Sequence, residues 1–314
     1  MAFAGIFPGQ GSQSIGMLSA LAESSTTVSS TFAEASDALG FDLWKMVVDG
    51  DEATLNQTIN TQPSMLAAGI AVWRVWQEQG GVMPSAVAGH SLGEYSALVA
   101  AGKLDFADAI KLVRARAEAM QQAVPEGVGA MAAILGLEDA QILSVCEQAA
   151  GDEVVEAVNF NSPGQVVIAG NAGAIDRAIE LATEAGAKRA IKLAVSVPSH
   201  CALMKPAAEQ LAEKLSDITF TATDMPVIHN VSATQSASVE EVPSLLAEQL
   251  FKPVRWVESI TDLKNSHDAQ AMLEFGPGKV LMGLNRRIDR SIKTICVHDP
   301  ASMQKGLELC EEMS

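Results

Sequence analysis

The sequence predicts an α/β protein in two parts, a sheet with helices on both faces interrupted by a smaller βαββαβ unit. Three observations lead there. Short apolar strands at 2–7 and 85–90 each run through a glycine-bearing turn into helical sequence. Residues 126–198 carry the strand and helix order of a split ferredoxin-like unit. The 314 residues exceed what one hydrophobic core usually serves.

Each element follows from its local pattern. Residues 2–7 (Ala-Phe-Ala-Gly-Ile-Phe) read as a buried strand, and Pro8-Gly9-Gln10-Gly11-Ser12-Gln13 as a tight loop. Several helices come next, the clearest at 64–79. A second strand spans 85–90, broken by Gly89, and helical patterns cover 94–101 and 106–123. In the middle, 129–135 is strand, 138–150 helix, 153–159 and 165–169 strands about the turn Asn161-Ser162-Pro163-Gly164, 172–186 helix and 188–195 strand. The larger part then resumes with helices near 203–215 and 243–251, a strand at 271–275 and the turn Gly276-Pro277-Gly278. The expected division is 1–125 with 199–314 as one domain and 126–198 as the insert.

Composition narrows the function. Apolar residues make up 48% and charged residues 19%, the balance of a packed globular enzyme rather than a disordered chain. A formal charge of −17 argues against nucleic acid as a partner. No apolar run is long enough for a membrane span. The first basic residue is Lys45, so no targeting signal is expected, and the cytoplasm is the expected compartment. Cys146, Cys201, Cys296 and Cys310 form no C-x-x-C pair, so reduced thiols and no metal centre are expected.

Gly89-His90-Ser91-Leu92-Gly93 matches G-x-S-x-G between a strand and a helix. In that context the serine occupies a sharp turn, the glycines remove clashing side chains, and the hydroxyl stands at a helix N-terminus. Ser91 is therefore the candidate nucleophile, and it needs a base. His90 is adjacent in the chain and points elsewhere, and His267 lies in a polar loop and is expected to be solvated. His200, His229 and His298 each follow an apolar run, with a lead for His200 because the chain re-enters the larger part there.

On the helix 106–123, Ala109, Ile110, Val113, Ala117 and Met120 form one apolar arc, and Arg116 falls inside it. A core-facing arginine requires an anion or a snorkelling stem. An internal acid and a substrate carboxylate both meet that requirement. Gly9-Gln10-Gly11 lacks the third glycine of a dinucleotide fingerprint, so it reads instead as a loop presenting backbone N–H groups.

Six motifs in order, Phe7-Pro8-Gly9-Gln10-Gly11-Ser12-Gln13, Gly89-His90-Ser91-Leu92-Gly93-Glu94, Arg114-Ala115-Arg116, Val197-Pro198-Ser199-His200, Gln249-Leu250 with Pro253-Val254-Arg255-Trp256, and Glu274-Phe275-Gly276-Pro277, resemble the malonyl-CoA:acyl carrier protein transacylases of bacterial fatty acid synthesis. The resemblance runs from about residue 3 to the C-terminus. It implies an α/β-hydrolase-like larger domain with a ferredoxin-like insert. It makes Ser91 the nucleophile and His200 the base, oriented by the Gln249 backbone carbonyl. The N–H groups of Gln10 and Leu92 would form the oxyanion hole, and Arg116 would clamp the malonyl carboxylate. Malonyl-CoA is the implied substrate and acyl carrier protein the implied partner, and no cofactor is needed; separately from the resemblance, a monomer is expected. Arg286, Arg287, Arg290 and Lys293, on a helix-like run, are either a docking patch for the acidic carrier or a solvated face. A serine hydrolase and a non-catalytic scaffold are the competing readings.

Overall fold

The computed structural model describes residues 2–195 and 197–313. Its strands are β1 (Ala2–Phe7), β2 (Ala86–Gly89), β3 (Gly129–Leu135), β4 (Val155–Ser162), β5 (Gln165–Asn171), β6 (Arg189–Lys192), β7 (Val227–Ile228), β8 (Ala269–Phe275) and β9 (Lys293–Val297). They form two sheets. The larger has the order β7-β2-β1-β8-β9, and every pairing in it is parallel. Parallel strands are covered on both faces, which is why β2 reads Ala-Val-Ala-Gly with all four residues buried.

The smaller sheet is antiparallel with the order β4-β5-β3-β6, the pairing expected of the βαββαβ unit. Its helices Asp139–Ala150 and Ala172–Glu184 share a separate core with Ile134 and Ile168. On the opposite face Met131, Val158 and Val167 pack with Cys201 of the larger lobe. A backbone splice fastens the lobes: Phe160 N–H donates to Val254 O at 3.0 Å, and Val254 N–H donates to Val158 O at 2.8 Å.

The structure moves several expected boundaries. The helix read from residue 64 begins six residues earlier, at Thr58–Glu78, with Pro63 inside it. Proline donates no N–H to the carbonyl four residues back. That carbonyl, of Ile59, accepts instead from Arg114 Nη1 at 3.0 Å, so the helix passes through the proline. The strand expected at 188–195 stops at Lys192; Leu193 still donates its N–H to Met131 O at 2.9 Å, and residues 193–195 line the cleft. β7 is two residues long, too short to announce itself by periodicity. The basic cluster does not share a helix: Arg286 and Arg287 end the helix Val280–Ile288, Arg290 lies beyond it, and Lys293 opens β9. The helix Phe106–Ala123 has its expected limits, capped by Asp105, whose carboxylate accepts from the N–H groups of Ala107 and Asp108.

Candidate active site

Ser91 sits between β2 and the helix Gly93–Ala100 with φ 52°, in the left-handed region that a side chain adopts only when its surroundings hold it there. The flanking glycines are steric requirements. A Cβ at Gly89 would lie 1.9 Å from the Gly93 carbonyl, and one at Gly93 would lie 2.1 Å from the Phe7 carbonyl oxygen. Asn230 braces the turn from the loop after β7. Its Oδ1 accepts from the Ser91 N–H at 2.7 Å, and its Nδ2 donates to Gly89 O at 2.6 Å.

His200 reaches the elbow from the segment between β6 and the helix Lys205–Leu215, also with positive φ, 68°. Its Nε2 is 2.8 Å from Ser91 Oγ, and its Nδ1 is 2.6 Å from the main-chain oxygen of Gln249. A carbonyl only accepts, so Nδ1 carries the proton and Nε2 turns its lone pair to the serine hydroxyl. The carbonyl is available because Gln249 closes the helix Val242–Glu248, and terminal helix carbonyls lack intrahelical partners. Burial pulls the His200 imidazole down to about 3, the nearby Arg116 adds to this, and the Gln249 carbonyl opposes it. The ring is therefore held neutral, the state in which Nε2 can accept a proton.

Arg116 is completely buried on the helix Phe106–Ala123. Its fork ends on amide oxygens, with Nη1 donating to Gln62 Oε1 at 2.7 Å and Nη2 to Gln249 Oε1 at 3.0 Å. The same Nη2 lies 3.5 Å from Ser91 Oγ. Nε has no partner among the described residues. Burial holds the guanidinium below its ordinary range, offset by Tyr95 and Glu94.

The Gly9–Gln10 loop packs against the elbow, and a Cβ at Gly9 would lie 2.6 Å from His90 O. Gln10 anchors its side chain on Thr58, with Nε2 donating to Oγ1 at 3.2 Å. Among the described residues the backbone N–H groups of Gln10 and Leu92 have no hydrogen-bond partner. Leu92 precedes the first turn of its helix, where orphan donors belong.

The remaining histidines separate clearly. His90 turns away from Ser91, bonds Asn161 Oδ1 through Nε2 at 2.7 Å and packs edge-on against Trp256. His229 is buried against Glu94, with Nδ1 2.7 Å from Oε1. His267 is not solvated as expected: its side chain is 14% exposed and Nε2 lies 3.4 Å from Asp262 Oδ2. Sequence reading missed the residues behind the site, Gln62, Glu94, Asn230 and the Gln249 side chain. Three are neutral amides with no pattern to mark them, and Glu94 passes as an ordinary acid in a helix.

Ser91 and His200 open onto a 510 Å³ cleft between the lobes, with Gln10 and Leu281 on one wall and Met131, Asn161 and Val167 on the other. Its lining mixes apolar with polar side chains, as small-molecule clefts do. No group of three His, Cys, Asp or Glu able to hold a metal gathers among the described residues. No helix there is long and apolar enough to cross a membrane.

The model of the acyl transferase domain family matches residues 5–296. The malonyl CoA-acyl carrier protein transacylase of Escherichia coli K12 is 53% identical, covering 98% of this chain and 99% of its own. This chain belongs to the malonyl CoA-acyl carrier protein transacylases. Within that family, an acyl carrier protein S-malonyltransferase from Vibrio cholerae superposes with a TM-score of 0.95 at 54% identity, over 97% of this chain and 99% of its own. A malonyl-transacylase solved in complex with its type II PKS acyl carrier protein superposes with a TM-score of 0.97 at 52% identity, over 98% and 100%. The chain is an acyltransferase with the family's mixed α/β fold, its parallel and antiparallel sheets meeting at the cleft.

Proposed function

We propose that the chain moves a malonyl group from malonyl-CoA to the phosphopantetheine thiol of acyl carrier protein through a malonyl ester on Ser91, supplying fatty acid synthesis. The observation that carries this reading is the chain of contacts Ser91 Oγ to His200 Nε2 at 2.8 Å and His200 Nδ1 to Gln249 O at 2.6 Å, with Arg116 beside the nucleophile. His200 takes the Ser91 proton as Oγ attacks the thioester carbonyl. The N–H groups of Gln10 and Leu92 receive the oxyanion, a stabilisation of about 3 kcal/mol per donor. As the tetrahedral adduct collapses, His200 returns the proton to the departing CoA sulfur. Arg116 holds the free carboxylate of the acyl group through its charged fork. The carrier thiol, with a pKa of about 8.5, then gives its proton to His200 and attacks the ester, and Ser91 leaves reprotonated.

The reaction balances with no metal or redox cofactor. We assign residues 1–125 and 199–314 to the catalytic domain and 126–198 to an insert that supplies the far wall of the cleft. One chain contains the whole constellation, so we read it as a monomer, and the reduced thiols of Cys146, Cys201 and Cys296 support a cytoplasmic enzyme. Arg286 and Arg287, on the helix whose first turn brings Val280 and Leu281 to the cleft, are the part of the basic cluster suited to an acidic carrier. Intact-protein mass after brief exposure to malonyl-CoA tests the reading. A malonyl adduct mapped to Ser91 and discharged by holo carrier protein is expected. It is absent in Ser91→Ala. An adduct that decays equally fast in buffer would make the chain a hydrolase.

A further inference from the structure

Glu94 has no place in the acyl-transfer steps, yet it is completely buried one helical turn past Ser91. Its contacts are donors: Oε2 accepts from the Asn230 N–H at 3.0 Å and from Gln249 Nε2 at 2.7 Å, and Oε1 meets His229 Nδ1 at 2.7 Å. The amide of Gln249 therefore has a charge at each end. Its oxygen faces Arg116 and its N–H faces Glu94. A buried arginine needs an anion, but an acid placed directly on the fork would occupy the position a substrate carboxylate must take. Setting the acid one amide back balances the charge and leaves the fork bonded to neutral amide oxygens, with no carboxylate of the described residues on it. The two charges also fix which way the Gln249 amide points.

We propose that Glu94 is the standing counter-charge of Arg116, transmitted through the Gln249 amide, and that it sets how tightly the fork holds the acyl carboxylate. The inference rests on the clamp reading of Arg116. Glu94 is a positioning and specificity residue: it touches neither the acyl group nor the reacting atoms. Nearby Glu94 and Tyr95 raise the basicity that burial takes from Arg116. Without the carboxylate, a substrate anion becomes the guanidinium's only nearby counter-charge, and binding tightens at the expense of release.

The test measures binding of malonyl-CoA and acetyl-CoA by calorimetry in the Ser91→Ala protein, where no chemistry follows. Glu94→Gln is nearly isosteric, and its carbonyl can still accept from Asn230 and Gln249. It is expected to tighten malonyl-CoA about tenfold, the order for unit charges one amide apart in a protein interior, and to leave acetyl-CoA unchanged. Equal or weaker malonyl-CoA binding, or an equal change for both ligands, overturns the proposal. Glu94→Asp keeps the charge and should stay within about threefold of the parent. A larger change there overturns the proposal whether or not Glu94→Gln folds. Arg116→Ala separates the two readings. If it leaves malonyl-CoA affinity intact, the clamp itself falls. If it weakens binding while Glu94→Gln still tightens malonyl-CoA in its presence, the clamp stands and the counter-charge role falls.

Discussion

Nη2 of Arg116 stands 3.5 Å from Oγ of Ser91. A malonyl group esterified at Oγ carries its carboxylate two carbons from the ester carbonyl, and the guanidinium is the nearest cation to receive it. Arg116→Ala removes that charge from a water-poor site, where losing one partner of a charged pair typically costs 2–5 kcal/mol. Single-turnover acylation should therefore fall by about two orders of magnitude for malonyl-CoA and far less for acetyl-CoA. An equal fall for both donors would mean that Arg116 only supports the fold around the nucleophile.

The state of His200 makes a prediction about pH. Its imidazole is held at about 3, below the ordinary 6.5, chiefly by burial. A base whose folded pKa is depressed stays neutral as pH falls through the ordinary value. The rate of Ser91 malonylation should accordingly show no acid limb near 6.5 between pH 5 and 8. A limb centred near 6.5 in single-turnover kinetics would place His200 in water rather than in the buried seat against Gln249.

The parts of this site that sequence made legible are those with local geometry. The serine elbow could be read because Gly89, Ser91 and Gly93 must occur at fixed spacing in a strand-to-helix turn, and φ 52° at Ser91 is the strain that spacing serves. Arg116 could be read because a charge inside an apolar helical arc violates burial energetics. The residues alone did not choose among the candidate bases, since His200, His229 and His298 all follow apolar runs and only the fold brings one of them, His200, within hydrogen-bond distance of Ser91. Glu94, Gln62 and Asn230 were illegible for the same reason. Asn230 braces Ser91 from 139 positions away, and Gln249 bridges Arg116 across 133. The start of the helix Thr58–Glu78 was hidden because the acceptor freed by Pro63 is satisfied by Arg114, a residue outside that helix.

Glu274 tests a different part of the architecture. It closes β8 inside the Glu274-Phe275-Gly276-Pro277 turn, and its two oxygens accept from the N–H groups of Leu281 and Met282 at 3.0 and 2.8 Å. The carboxyl thus caps, from outside, the helix that carries Leu281 and Leu284 to the cleft. Burial raises it to about 7, against the opposing pull of those two donors. Since 7 lies above the ordinary 4.5, the unfolded chain ionises first as pH rises. The stability contributed by this group is complete below 4.5 and is lost as pH climbs through 7. Glu274→Gln stays neutral and keeps one acceptor for the helix. Between pH 5 and 8 its melting temperature should fall less than the wild type's, by roughly 2–6 °C. Parallel melting curves for the two proteins would show that the Glu274 carboxyl is ionised throughout, with the two backbone donors outweighing burial.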